Sequence, residues 1–433
     1  MAKIGWRSAA ALVMANMIGT GAFTTLGFQL ELLQNAWAIL ALWILGGLMA
    51  LFGAFSYAEL GVRLPHSGGE AHFLSEIYHP FLGFLSGWVS LSVGFAAAVA
   101  LAAIAVGQYT SLLTGWSPQH IAIMAILGLS LVHSLSLRYS SRVQNVLTGL
   151  KLLLVVGLIV AGLVLPAAPG AGIDWSLAGT EQLLSPGAAI SLILIFYAYS
   201  GWNAAAYIVE EIDEPSRNLP RALVVGSVVV SCLFILLQFS FLRQAGPTAL
   251  SGQIEVGQVA AEAMFGPQTG QIISALIGIL LLAGISAMIW VGPRVVGAMG
   301  GRHHLWRIFA KKSRRGLPLR AIWLQAGISL FLVLTASFER VLYYSGFVLQ
   351  LFTILTIIGL LLLRRRHPQA AWRSPLFPYA QYFFLAFSFY ALGYLLITEP
   401  LESLLGLLNV AAGAVAYGLG DPGEAPKMST GEL

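Results

Sequence analysis

Charge is scarce in this chain. Of 433 residues, 9% are charged and 58% hydrophobic, whereas about 25% of an ordinary soluble domain is charged. That balance excludes a soluble globular fold. Apolar runs of about 20 residues recur along the chain, each enough to cross the ~30 Å hydrocarbon core of a bilayer. Cysteine is almost missing. The single Cys232 lies in an apolar stretch, which excludes an internal disulfide, a CxxC pair and a thiolate metal cluster. It also excludes a disulfide from a loop to an outside partner. The eight His show no metal-ligand spacing, so no metal or cofactor is expected. His66, His72 and His79 share one loop. His133 falls in a span, where a buried, hydrogen-bonded ring is preferred over a proton relay. Also missing are a nucleophile elbow, a His-Glu-x-x-His pair and a phosphate loop. An enzyme is not expected, and an ATP-driven pump would need the last of these.

Glycine is abundant, with 47 residues, as suits membrane helices that pack through small side chains. Hydropathy and breakers predict about twelve spans, at 6–30, 36–62, 81–113, 119–137, 143–165, 186–210, 219–244, 268–299, 318–336, 340–363, 375–397 and 401–419. Lys3 and Arg7 before an apolar run resemble a signal peptide. The run is long and lacks a small-residue cleavage site, so it is read as a retained first span. With the N-terminus cytoplasmic, Lys151 and Arg294 fall inside spans. Of the other Lys and Arg, only Arg243 and Arg340 then fall on the outer side. That asymmetry predicts both termini inside and explains the net charge of +5 by loops near anionic lipid. A nucleic-acid partner is not needed. Trp6, Trp37, Trp88, Trp116, Trp175, Trp306 and Trp372 lie near expected span ends, where interfacial anchoring is the ordinary role of tryptophan.

Two short breaks interrupt apolar spans. One is Ile18-Gly19-Thr20-Gly21-Ala22-Phe23, in span one. The other is Tyr199-Ser200-Gly201-Trp202-Asn203, in span six. Unpaired backbone in hydrocarbon survives only where it lines a cavity, and in transporters such breaks mark the substrate site. At the first, Gly19 and Gly21 permit non-helical backbone, Thr20 adds a hydroxyl, and the following half-helix directs free N–H groups towards a carboxylate. The competing reading is Gly-x-Gly helix packing. At the second, freed carbonyls suit an ammonium, and the rings of Phe196, Tyr199 and Trp202 can wall a pocket or gate it. Asn203 is neutral, and no Asp or Glu lies between Pro186 and Val209. A zwitterion with an apolar side chain fits better than a cation. The breaks lie five spans apart in the order of crossing, and the direction of crossing reverses, as expected of a 5+5 inverted repeat.

Lys151 sits nine residues beyond Arg142, roughly 14 Å along a helix. That places it near mid-bilayer, where a Lys costs on the order of 2.5–3.5 kcal/mol. It stands in for a sodium ion, bracing span one against span eight, or it carries a proton in part of a cycle. The alternative is an inert, snorkelling Lys. Arg294, in Gly292-Pro293-Arg294-Val295, pairs with Glu59 or Glu210 as an inner gate, or reaches lipid headgroups. The inner loops after spans two and six carry Pro65-His66-Ser67-Gly68-Gly69-Glu70 and Glu210-Glu211-Ile212-Asp213-Glu214-Pro215. They are inner-gate ion pairs or plain solvated turns.

At these residues the chain resembles the amino acid–polyamine–organocation superfamily, and in particular its L-type amino acid transporter branch with bacterial relatives. The resemblance runs from about Trp6 to Arg366. It rests on Ile18–Phe23, Tyr57–Gly61 with Ser67–Glu70, Phe196–Glu211, Pro215 with Arg217–Pro220, and Gly292–Val295. It implies an all-α polytopic fold of the LeuT type, with two inverted five-helix repeats and spans one and six unwound. One transporter domain would cover residues 1–420, with repeats at about 6–165 and 186–363, added helices at 375–419 and a cytoplasmic tail at 421–433. It implies a substrate site of Ile18, Gly19, Thr20, Gly21, Phe196, Tyr199, Ser200, Gly201, Trp202 and Asn203. Lys151 resembles the span-five Lys that replaces sodium in sodium-independent members, with Ser286 as its span-eight neighbour.

The expected function is secondary, sodium-independent transport of neutral L-amino acids by exchange or proton-linked uptake, in the plasma (inner) membrane. A non-transporting amino-acid sensor and a carrier of cationic amino acids or polyamines are the alternatives. Two departures from the family bear on this. The loop after span three, Thr114-Gly115-Trp116-Ser117, has no Cys for a disulfide-linked heavy chain, so a monomer or weak homo-oligomer is expected. Asn203 stands where cation-selecting relatives use an acid. The segment 421–433 offers no effector domain for a sensor.

Overall fold

A computed structural model describes residues 3–135, 141–167, 179–302, 306–311, 313 and 316–419. Trp175, Arg138, Lys312, Arg314, Arg315, Lys427 and the segment 421–433 lie outside the described residues, as do the side chains of Arg142 and Arg302. Among the described residues every regular element is helical, and the one β-type contact is an isolated bridge between Ile4 and Ile212.

Among the described residues ten helices are long and apolar enough to cross a membrane: Ala36–Arg63, Pro80–Thr114, Pro118–Leu135, Val146–Val164, Pro186–Glu211, Pro215–Ala245, Pro267–Gly297, Phe338–Arg366, Tyr379–Thr398 and Pro400–Leu419. Trp6–Met17 and Gly21–Leu32, bent by 41°, make an eleventh crossing. Leu319–Thr335, where span nine is expected, is an apolar helix of 17 residues, at the short end of what can cross. The protein is therefore an all-helical, multi-pass membrane protein. Spans are numbered one to twelve in this order along the chain, with Leu319–Thr335 as span nine.

Local chemistry sets several helix starts. Asn35 caps span two by accepting from the Ala38 N–H at 2.8 Å. Ser185 caps span six before a Pro at its first turn, and Ser337 caps span ten. These caps satisfy N–H groups that a helix start leaves without partners.

Burial separates centre from rim. The most apolar stretches of spans two, three, six and ten are 61–72% buried by protein, against 22% for spans four and twelve. The rim helices instead present Leu131, Val132, Leu401 and Val415 outwards, as lipid contact requires. Span two seats span six through glycine. A Cβ on Gly46 would lie 2.2 Å from Ile195 Cγ2, and one on Gly53 would lie 2.7 Å from Trp202 Cη2. Only missing side chains let these helices approach so closely.

Two expectations for tryptophan change. Trp306 is buried and packs edge-on to Trp88 at 5.3 Å. Trp88 donates to Asn409 Oδ1 at 3.0 Å, and Asn409 donates to Ser92 Oγ at 2.9 Å. These rings join span three to its neighbours rather than serving as interfacial anchors. Trp116 is exposed, as an anchor would be. Span three also contains a π-helical segment, Ser90–Ala97, that no feature of the sequence announces.

Candidate functional site

Both interruptions are present. Span one ends its first half at Met17, and Ile18 leaves helical geometry with ψ 84°. The second half starts at Gly21, where no side chain caps the helix. The N–H groups of Ile18, Gly19 and Phe23 bond to the carbonyls of Met14, Met17 and Thr20. The uncapped first turn at Gly21 and Ala22 is the part of this end that can receive an anion. Thr24 and Thr25 turn their hydroxyls back to the Thr20 and Gly21 carbonyls at 2.9 and 2.8 Å, so those two hydroxyls serve the break itself.

Span six is helical to Tyr199. Ser200 then takes ψ 152°, Gly201 takes φ +96°, and a 3-10 segment, Ala204–Glu211, follows. The positive φ suits glycine and strains any residue with a Cβ. The Gly201 carbonyl accepts from the Ala204 N–H at 3.0 Å, and the Tyr197 carbonyl accepts from Ser200. Among the expected ammonium acceptors, Gly201 thus has one lone pair already engaged.

The breaks meet directly. A Cβ on Gly21 would lie 2.4 Å from Ala198 Cα, and one on Gly201 would lie 2.8 Å from the Asn16 carbonyl carbon. A Cβ on Gly19 would meet nothing nearer than 4.0 Å. Gly21 and Gly201 are therefore the seam between the broken helices, and Gly19 faces open space beside it. The Tyr197 phenol interacts with the Thr20 hydroxyl across this seam. Tyr197, Ala198 and Asn16 are absent from the sequence-derived site. Only the adjacency of the first two to Phe196 and Tyr199 hinted at them.

The aromatic wall is smaller than expected. The Tyr199 ring is buried, donates to the Trp43 carbonyl at 3.0 Å and packs on Trp43 and Phe234. Trp202 is buried edge-on to Tyr57 at 4.7 Å. Both rings are drawn into glycine-lined slots on span two, whereas Phe196 is half-buried and packs against the apolar core. Asn203 is half-buried and interacts with the Tyr207 phenol.

Lys151 is 8% exposed, so it is neither snorkelling nor turned to lipid. Its ammonium has no hydrogen bond or ion pair among the described residues. Its helix packs on spans seven and eight. No bond joins it to Ser286, whose hydroxyl lies 2.8 Å from His133 Nε2. His133 is thus buried and hydrogen-bonded, as the sequence suggested.

The expected pairing of Arg294 with Glu59 or Glu210 is replaced by other partners. Arg294 bonds to the Trp290 carbonyl and lies over the Trp290 ring. Glu59, fully buried, is saturated by Arg63 at 2.7 Å, Arg364 at 3.4 Å and the Ser374 N–H at 2.8 Å. Glu210 faces His66 at 3.0 Å, with both side chains more than half exposed. Glu59 is already neutralised from its own helix one turn on, which leaves no role for a third cation.

Around Glu210 the chain closes a junction. The Ile4 N–H donates to the Glu211 carbonyl at 2.8 Å, and the Asp213 N–H donates to the Ile4 carbonyl at 3.0 Å. The Gly68 N–H donates to the Tyr207 carbonyl at 3.2 Å, and the Glu210 N–H to Ser67 Oγ at 3.3 Å. The N-terminal segment, the loop after span two and the end of span six are thereby tied by backbone. Among the described residues no cluster of three His, Cys, Asp or Glu could hold a metal.

Known proteins are similar to this chain along nearly its whole length. A profile of the amino acid permease family matches residues 4–415. The chain is 29% identical to the serine/threonine exchanger SteT of Bacillus subtilis over 96% of both chains. It is 30% identical to the human b(0,+)-type amino acid transporter 1, over 84% of this chain and 76% of that one. It is 27% identical to the mouse large neutral amino acids transporter small subunit 2, over 96% and 81%. With a break in each of two spans and a family match over almost its whole length, the chain belongs to the amino acid permease family.

Proposed function

We propose that this protein carries neutral L-amino acids across the membrane without sodium, by exchange or proton-linked uptake, through alternating access. The observation that carries this is the seam. An uncapped helix start at Gly21 and a helix end at Tyr199 meet beside open space at Gly19. The first offers N–H groups to a carboxylate and the second offers carbonyls to an ammonium. Residues 1–30 and 186–209 contain no Asp or Glu, which favours a zwitterion over an arginine or polyamine. The buried Lys151 supplies a fixed positive charge where a sodium ion would otherwise brace the bundle, and a 5+5 inverted repeat accounts for the reversed sense of the two breaks. The bacterial relative named as a serine/threonine exchanger favours small neutral side chains and exchange. The backbone-tied junction at Ile4, Ser67 and Glu211 is read as the cytoplasmic gate, by the excess of Lys and Arg on that side.

The test is counterflow in proteoliposomes. Labelled serine, alanine or leucine is supplied outside, with and without internal amino acid and with sodium replaced by choline. Saturable uptake that rises with internal amino acid and ignores sodium is expected. Binding without flux would indicate a sensor, and flux confined to arginine or polyamines would indicate a cation carrier.

A further inference from the structure

A buried acid at the junction just described has no role in the substrate reading. Glu70 opens the short helix Gly69–Ile77 and is 7% exposed. Its Oε1 accepts from the Tyr57 hydroxyl of span two, in a short contact, and from the Thr353 hydroxyl of span ten at 3.4 Å. The Tyr207 phenol, at the end of broken span six, is within electrostatic reach of the same carboxyl. The Tyr207 ring rests on the turn before Glu70, where a Cβ on Gly69 would lie 2.6 Å from its Cε1. One carboxyl therefore sits where spans two, six and ten converge on the loop after span two.

Among the described residues no cation faces it. On its own helix, His72 packs its ring on His66 and Phe73, and Glu76 carries a negative charge. Span two contributes Tyr57, span six Tyr207 and span ten Thr353. The stretch of span three packed on this helix, Pro80–Val89, has no titratable side chain. Of the three arginines ending span ten, Arg365 is exposed and the other two are occupied elsewhere. Arg364 goes to Glu59 and Arg366 to the Ile77 carbonyl at 3.4 Å. A carboxylate buried among hydroxyls is unfavourable and takes up a proton.

We propose that Glu70 is a proton-binding latch on the cytoplasmic gate, protonated while the junction is closed and ionised when the junction opens to water. The inference rests on the transporter reading for its consequence, though not for the protonation itself. Burial pushes the Glu70 carboxyl up from its ordinary value near 4.5 to about 7, against the Tyr57 and Thr353 hydroxyls, which pull it down. The closed junction thus binds the proton more tightly than the open one. Closure is favoured fully below the ordinary value and loses that advantage as pH rises through about 7. With those two values, acidifying the cytoplasmic side from about pH 7.5 to about pH 6 favours closure roughly eightfold.

Two measurements on the purified chain test this. Infrared difference spectra across pH 5.5 to 8.5, wild type minus Glu70→Gln, are expected to show a protonated carboxylic acid that disappears with a midpoint near 7. Tyr57→Phe removes a donor to the carboxylate and is expected to move that midpoint up. A midpoint below about 5.5, or no band assignable to Glu70, overturns the proposal whether or not the protein transports. In counterflow with wild type, lowering internal pH from 7.5 to 6 is expected to slow exchange by up to that eightfold factor, and Glu70→Gln is expected to remove the dependence. Normal flux in wild type that ignores internal pH would overturn the latch while leaving the transport reading standing.

Discussion

Adding one methyl group at either glycine of the first break separates ligand binding from helix packing. At Gly19 a new Cβ meets nothing nearer than 4.0 Å, whereas at Gly21 it would lie 2.4 Å from Ala198 Cα and 2.8 Å from Ala198 Cβ. Gly21→Ala therefore forces backbone against backbone. Overpacking of that kind costs about 1–3 kcal/mol, and it pries apart the seam on which both half-helices depend. Gly19→Ala strains nothing and intrudes only on the space assigned to the carboxylate. If it displaces one charge-assisted hydrogen bond, worth about 1.5–3 kcal/mol, affinity falls by roughly 10- to 150-fold at ~1.4 kcal/mol per decade. The assays are counterflow for affinity and thermal unfolding in detergent for stability. Gly19→Ala is expected to lose affinity with an unchanged Tm, and Gly21→Ala to lose both. Gly19→Val carries two more carbons into the same space and is expected to abolish binding. Wild-type affinity in Gly19→Ala and Gly19→Val would refute the carboxylate role. A wild-type Tm in Gly21→Ala would refute the seam.

Lys151→Ala is expected to bind substrate but turn over more slowly, read as a fall in exchange rate with little change in half-saturation. An unchanged rate would leave the buried ammonium without a transport role. Glu59→Gln leaves Arg63 and Arg364 facing a neutral group at a buried site. Breaking such a pair costs about 3–5 kcal/mol, and a Tm unchanged from wild type would contradict it. His66→Ala removes an exposed pair, for which about 0–1 kcal/mol is expected. A large loss of Tm would show that the loop after span two is held by its side chains rather than by its backbone bonds.

Much of the architecture was legible because lipid restricts what a chain can do. Span placement followed from hydropathy alone, since an apolar run in hydrocarbon has few structures open to it other than a helix. The short helix at 319–335 and the bent first crossing fall where they were expected. The breaks were legible for the same reason. Gly-Thr-Gly and Ser-Gly-Trp inside apolar runs combine loose backbone with polar groups, and both positions leave the helix in the structure.

Partners were much less legible. Tyr199 and Trp202 looked like pocket walls because they flank a break, yet glycines far earlier in the chain, in span two, open slots that absorb both rings. Arg294 and Glu59 looked like partners by charge and depth. Arg63 sits one turn from Glu59 and Arg364 arrives from span ten, and together they leave nothing to pair. Glu70 read as one more polar residue in a Pro- and Gly-rich loop.

By itself, the sequence determined the environment, the approximate positions of the crossings, and the places where helix fails. Each of these depends on the free energy of moving one segment from water to lipid, and that is a sum over neighbouring residues. Only the tertiary structure decided which glycine is seam and which faces space, that Tyr199 and Trp202 pack into span two, that Lys151 is buried, and that Glu70 is enclosed by hydroxyls away from the arginines. Those depend on distances between residues far apart in the chain. At van der Waals contact, a single missing or added carbon in a distant helix changes the answer.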